Sequence, residues 1–283
     1  MSERRVPSRV PVPRGMAERA RDFFARGLVP AEPRDAATVI LLRQSPAVEV
    51  FLLRRAGVLE FAPGACVFPG GSVDGPDADP GIGETGWAGP SPADLGGLLG
   101  VPPDRARALV CAAVRETFEE SGVLLAGPSP AELVRDGAAL EQDRDLLLSG
   151  AASIGDLLRL RGLLLRADLL TPWARWITPV ISPRRFDTWF FATTLPPGQT
   201  TSLAAGESDA GSWWEPSAAV QAARDGEITL LPPTAVTLAE LAGYQDVAAV
   251  MAARRQIVPL LPAAVVEDDQ VWLAVPPEVE YPL

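Results

Sequence analysis

Between Ala112 and Val123 the chain reads AAVRETFEESGV, and the spacing of its charges is useful only on a helix. At about 100° per residue, Glu116, Glu119 and Glu120 share roughly 100° of arc. Val110, Cys111, Val114, Phe118 and Ser121 fall on the other side. The spacing predicts a helix with one buried face and one face carrying three crowded carboxylates. Pro102-Pro103-Asp104 starts it and Gly122 stops it. Carboxylates held that close repel by ~0.3 kcal/mol per pair even on an open helix. A solvated acidic face tolerates this. A hard divalent cation removes it, because Mg²⁺ and Mn²⁺ take oxygen ligands and are held by a few carboxylates together with phosphate and water.

What precedes the helix bears on that choice. Ala36–Arg43 and Glu49–Arg54 are near-continuous apolar runs, which reads as a strand pair covered on both faces. Ala65–Phe68 is a short strand that leads into Pro69-Gly70-Gly71. Glycine there lets the backbone bend and bring a carbonyl oxygen up to a cation. Gly-Gly followed by Arg115-Glu116-x-x-Glu119-Glu120-x-Gly122-Val123 resembles the box of the Nudix hydrolases, G-x5-E-x7-R-E-U-x-E-E-x-G-U with U bulky and aliphatic. Thr117 takes the first U position, and 44 positions separate Gly71 from Arg115 where the family pattern has 14. About 30 residues are thus inserted inside the box, and the family's first Glu is displaced; Asp74, Asp77 and Glu84 are its candidate replacements.

The remaining chain is expected to fold around this unit. Residues 1–34 read as an Arg/Pro-rich arm and a short helix, Arg14–Arg26, docked by Phe23 and Phe24. Residues 35–256 read as the main domain. Within it, 72–101 is a Gly/Pro-rich irregular loop, and 129–161 is a helical insertion with Ser129 and Ser153 as caps. Trp173–Thr178 and Phe186–Thr194 read as strands whose connection presents Arg184 and Arg185. The planar guanidinium fork suits phosphate oxygens, and Arg54 at a strand end is grouped with these two as substrate-binding. Glu207, with Asp209 as its alternate, lies in a loop before the strand Ser212–Glu215. Helices are expected over Pro216–Arg224 and Ala235–Arg255, and residues 257–283 read as a tail hairpin.

Composition narrows the chemistry. The chain has no histidine, which excludes a Ser-His-Asp triad, histidine-ligated zinc and an imidazole base. A net charge of −11 argues against a nucleic-acid partner, so a small anionic substrate must be captured locally. No apolar run approaches the ~20 residues of a membrane span. Cys66 and Cys111 have neither disulfide nor zinc spacing. The arginines near the start precede no apolar core, and Tyr281-Pro282-Leu283 is not a peroxisomal tripeptide, so a cytoplasmic location is expected.

The order VFPGG, long insert, AAVRETFEESGVLL, W-x-T-P, RRFDTWFF and E-x5-WW is similar to the acyl-coenzyme A diphosphatase branch of the Nudix hydrolases. That resemblance implies an α/β fold of the αβα sandwich type with a mixed sheet, plus the helical insertion and a C-terminal helical extension. It implies Mg²⁺- or Mn²⁺-dependent hydrolysis of a diphosphate, with coenzyme A or acyl-coenzyme A as first choice. NADH, ADP-ribose, sugar nucleotides and a non-catalytic ligand sensor remain open; retention of all three glutamates favours the enzyme. By position Glu119 and Glu120 are expected metal ligands with the Gly70 carbonyl, Glu116 a ligand or proton acceptor, Arg115 their orienting partner and Glu207 a further acid or base. A homodimer is compatible with the sequence.

Overall fold

The protein is described by a computed structural model over residues 9–12, 14–57, 63–78, 81–82, 86–204, 208–267 and 270–283. Its first half contains β1 (Arg9–Pro11), α1 (Arg14–Arg26), β2 (Arg34–Gln44), β3 (Val48–Arg55), β4 (Ala65–Val67), β5 (Gly70–Ser72), β6 (Trp87–Ala88), α2 (Pro92–Leu99) and α3 (Pro103–Ser121). There follow β7 (Ala126–Gly127), α4 (Glu141–Leu148), α5 (Ile154–Arg161), β8 (Leu164–Arg166), β9 (Thr171–Ile177), β10 (Phe186–Thr194) and β11 (Ser208–Trp214). The chain closes with α6 (Pro216–Arg224), β12 (Thr229–Leu230), α7 (Pro232–Leu241), α8 (Val247–Ala252), β13 (Pro259–Leu260), β14 (Ala263–Glu267) and β15 (Gln270–Ala274).

The apolar run of β2 becomes the middle of a mixed sheet of order β12-β4-β3-β2-β10-β9-β13, with β11 added to β3 and β5 to β2. Val39, Ile40, Leu41 and Leu42 are all fully buried because helices cover both faces. Ala37, Val39 and Leu41 pack on Leu109, Val110, Val114 and Phe118 of α3. Ile40 and Leu42 pack on Ala219, Val236, Leu241 and Val250 of α6, α7 and α8. Each such Leu or Ile contributes ~1.5–3 kcal/mol by burial. The result is the αβα sandwich the resemblance implies.

Two sequence expectations need correction. Among its described residues the 72–101 segment is not irregular throughout: it holds a 3₁₀ turn at Gly75–Ala78, β6 and α2. Gly96 and Gly97 disguise α2, but Ser91 and Asp94 form a capping box that announces it. Ser129 caps no helix and instead bridges Glu132, whereas Ser153 caps α5 together with Asp156. In the tail, β14 and β15 form a hairpin that pairs with β1, and β13 returns to the main sheet beside β9. Among the described residues no helix is long and apolar enough to cross a membrane.

The first half of α3 is tied to the sheet by ionic hydrogen bonds. Arg105 donates to Asp35 and to Asp187, and Arg175 donates to both oxygens of Asp187 at 2.8 and 2.6 Å. Burial pushes the Asp187 carboxyl up, but Arg175 and Arg105 outweigh it and hold it below its usual range. A depressed folded pKa gives stability that is present above the unfolded value, near ~3.9, and lost as pH falls through the folded one. The urea midpoint is therefore expected to drop on going from pH 5 to pH 3. Asp187→Asn should lower the pH 5 value and flatten that drop; an unchanged acid limb in the variant would assign the loss to other carboxylates.

Candidate active site

The site forms where β5 meets the second half of α3. Gly70 lies opposite Thr38 and Gly71 opposite Ala37 on β2. In an antiparallel pair the N–H and C=O of one residue point to the same edge, and those of Gly70 point away from β2. The Gly70 N–H donates to Glu120 Oε2 at 2.7 Å, and Ser72 offers its carbonyl to Arg115 at 2.9 Å. The free edge of β5 thus runs along the acidic face of α3.

Contact that close explains the glycines. A Cβ on Gly71 would sit 2.3 Å from Glu116 Oε1, and one on Gly70 would sit 2.4 Å from the Ala37 carbonyl oxygen and 2.7 Å from Thr38 Cα. The first obstacle is a side-chain end and the second is backbone. Gly71→Ala is therefore expected to fold but displace Glu116, cutting turnover at least ~10-fold with a thermal midpoint near wild type. Gly70→Ala is expected to lose ~2 kcal/mol or more of stability. Thermal unfolding beside an activity assay separates the two, and equal midpoints would show that β5 yields at Gly70 as easily as at Gly71.

Arg115 organises the cluster. Its residue is 8% exposed, and its guanidinium donates to both oxygens of Asp77, to Glu116 Oε1 and to Glu119 Oε2, each at 2.9 Å. Burial opposes the charge, but Asp77, Glu116 and Glu119 outweigh it and hold Arg115 above its usual pKa. Asp77, 1% exposed in the 3₁₀ turn, also accepts the Asp74 N–H at 2.8 Å. Of the two candidates among the described residues, Asp74 and Asp77, it is Asp77 that is locked to Arg115. Asp74 stands 3.8 Å away with its side chain 60% exposed, and Glu84 lies outside the described residues.

The carboxylates do not form an open solvated face: the side chains of Glu116 and Glu119 are each only 12% exposed. Thr117 and Phe118, between them, are fully buried, and the Thr117 hydroxyl is satisfied by the Ala113 carbonyl. That bond is how a hydroxyl is accommodated at an aliphatic position of the pattern. Burial pushes the Glu119 carboxyl up, opposed by Arg115. Asp77, Glu116, Glu119 and Glu120 together carry three more negative charges than Arg115 balances. Among the described residues no three acidic side chains converge closely enough to hold a metal as they stand; Arg115 and the Gly70 N–H each hold some of them. An all-oxygen donor set with surplus negative charge, largely shielded from water, fits a hard divalent cation.

The other expected site residues are placed elsewhere. Leu53 and Val67 face α3 whereas Leu52 and Cys66 face α6 and α7, so the period of two puts Arg54 on the far side and Arg55 on the α3 side. Arg185 is buried, donating to the carbonyls of Thr178 and Ala31. Phe186 pairs with Arg34, so Arg184 and Arg185 lie about five strand residues, roughly 15 Å, from the level of Gly70. Glu207 lies outside the described residues, and Asp209 is exposed on β11. Arg144, fully buried against the end of α3, carries no spacing signal and is legible only in three dimensions.

Comparison with known proteins assigns the chain to a family. The NUDT19 Nudix domain family matches residues 94–241, which include the whole acidic helix; Gly70 and Asp77 precede the matched range and join it through the fold. The acyl-coenzyme A diphosphatase NUDT19 of Gallus gallus is 30% identical over 75% of this chain and 69% of its own length. The Homo sapiens protein of the same name is 34% identical over 69% of this chain and 60% of its own length. The crystal structure of a Nudix hydrolase from Alicyclobacillus acidocaldarius superposes with a TM-score of 0.66 at 27% identity, covering 79% of this chain and 97% of that one. A family match over more than half of the chain, together with that shared fold, makes this chain a Nudix hydrolase of the NUDT19 family.

Proposed function

We propose that this chain hydrolyses the diphosphate of coenzyme A or an acyl-coenzyme A to the phosphopantetheine and adenosine 3′,5′-bisphosphate, using Mg²⁺ or Mn²⁺. The observation that carries the reading is the enclosure of Glu116 and Glu119 on Arg115, beside Glu120 on the Gly70 N–H. The substrate class is supported by the names of the relatives.

Glu116, Glu119 and Glu120, with the Gly70 carbonyl on the same edge, would hold the cation. When bound, it neutralises diphosphate oxygens and lowers the pKa of the attacking water. Arg115 keeps Glu116 and Glu119 oriented by charge-assisted hydrogen bonds, and Asp77 keeps Arg115 in place. Glu207, or Glu116 where it is not itself a ligand, takes the proton from water.

The test is a panel of coenzyme A, acyl-coenzyme A, dephospho-coenzyme A, NADH, ADP-ribose and a sugar nucleotide, assayed with Mg²⁺ and Mn²⁺ and read by product mass. Adenosine 3′,5′-bisphosphate as the favoured product supports the proposal. Preference for NADH or ADP-ribose redirects it within the family, and nucleotide binding without turnover of any compound removes the catalytic reading.

A further inference from the structure

The helical insertion, whose α5 also packs on the 3₁₀ turn of Asp77, reaches the end of α3 through Arg144. The sequence contains no lysine, so all 25 basic residues are arginine, and this one is fully buried on α4. Its Nε and one terminal nitrogen donate to the Glu119 carbonyl at 3.0 and 2.8 Å. The terminal nitrogens also reach the Ser202 hydroxyl at 2.9 Å, the Ser202 carbonyl at 3.1 Å and Glu141 at 3.2 Å. These five contacts match the five N–H groups of a guanidinium. Ser202 in turn donates its N–H to the Ser121 carbonyl at 2.8 Å.

The carbonyls involved are those a helix end leaves without intrahelical partners, and a cation beside them also opposes the negative end of the helix dipole. Phe118 is satisfied by the Gly122 N–H, Ser121 by Ser202 and Glu119 by Arg144. Arg144 touches the backbone of the residue whose side chain lies on Arg115, and the next residue is the one bonded to Gly70. The last turn of α3 is therefore held from two sides: side chains on β5 and Arg115, backbone on Arg144.

We propose that Arg144 is a positioning residue. It holds the backbone of the last turn so that Glu119 and Glu120 meet Gly70 in the register a divalent cation requires, and through it the insertion serves the site. This rests on the reading of Glu116, Glu119 and Glu120 as cation ligands.

The test is Mn²⁺ binding without substrate, followed by the electron paramagnetic resonance of free Mn²⁺, for the full chain and for Arg144→Gln, Arg144→Lys and Glu120→Gln. Arg144→Gln is expected to bind Mn²⁺ about 10-fold more weakly, as loss of an outer-shell partner does, with Arg144→Lys in between. A stabilising role alone would lower the thermal midpoint and leave Mn²⁺ affinity of the folded variant intact. A folded Arg144→Gln within about twofold of wild type thus overturns the proposal. If that variant does not fold, Ser202→Ala removes one of the contacts and should weaken binding about threefold; affinity equal to wild type overturns it equally. Wild-type binding that Glu120→Gln leaves unchanged would instead remove the cation reading, and the proposal with it.

Discussion

Glu120→Gln is expected to lower kcat for diphosphate hydrolysis by about 10³-fold while shifting the thermal midpoint by only a few degrees. The two effects separate because the substitution keeps shape and removes charge. A glutamine side-chain oxygen can still accept the Gly70 N–H, now made at 2.7 Å, so the joint between α3 and β5 survives. The lost carboxylate removes one of the three acidic side chains proposed to hold the cation on which charge neutralisation at phosphorus depends. Removing one group that acts in the transition state costs up to about 4 kcal/mol, the equivalent of 10³-fold. Glu119→Gln should match the kinetic loss but cost more stability, because Glu119 also pairs with buried Arg115. Steady-state kinetics with saturating Mn²⁺ decides it. Activity of Glu120→Gln within about threefold of wild type, under ~0.7 kcal/mol, would take Glu120 out of the chemistry.

How far the sequence leads can be read from which physical signals are local. The acidic helix is legible because its period is local: every residue placed on its buried side, from Val110 to Ser121, is fully buried. The β2 run is legible because its centre, Val39 to Leu42, is buried on both faces and apolar without a break. The glycines are legible as a sharp backbone bend, but that Gly71 meets α3 and Gly70 meets β2 is not encoded in spacing. The insert defeats the reading at its far end: about 30 residues of unknown path separate Gly71 from Arg115, so spacing cannot decide among Asp74, Asp77 and Glu84. Arg54 illustrates a finer failure, since one residue of strand register exchanges it with Arg55. Arg144 and Arg185 are buried by long-range contacts with carbonyls, and no pattern of neighbours distinguishes them from surface arginines.

Asp77→Ala is expected to produce the largest loss of stability among single substitutions at the site, about 3–5 kcal/mol. Asp77 is 1% exposed and receives a two-pronged bond from Arg115, itself 8% exposed, so truncation strands a buried guanidinium on its inner side. It also frees the Asp74 N–H that closes the 3₁₀ turn. At ~2–4 °C per kcal/mol for chains of this size, the thermal midpoint should fall by about 10 °C. Asp77→Asn keeps an acceptor but loses the charge and should fall between Asp77→Ala and wild type. Asp74→Ala, 3.8 Å from the same guanidinium with a side chain 60% exposed, is expected to move stability by no more than ~0.5 kcal/mol, because water screens that pair. Activity should follow the same order, since an Arg115 that has lost Asp77 is free to settle further onto Glu116 and Glu119 and compete for the oxygens a cation needs. The outcome that would refute this is an Asp77→Asn protein as stable and as active as Asp74→Ala. Asp77 would then be a passenger of the insert, and the arginine at the centre of the box would be held by its two helical neighbours and the Ser72 carbonyl.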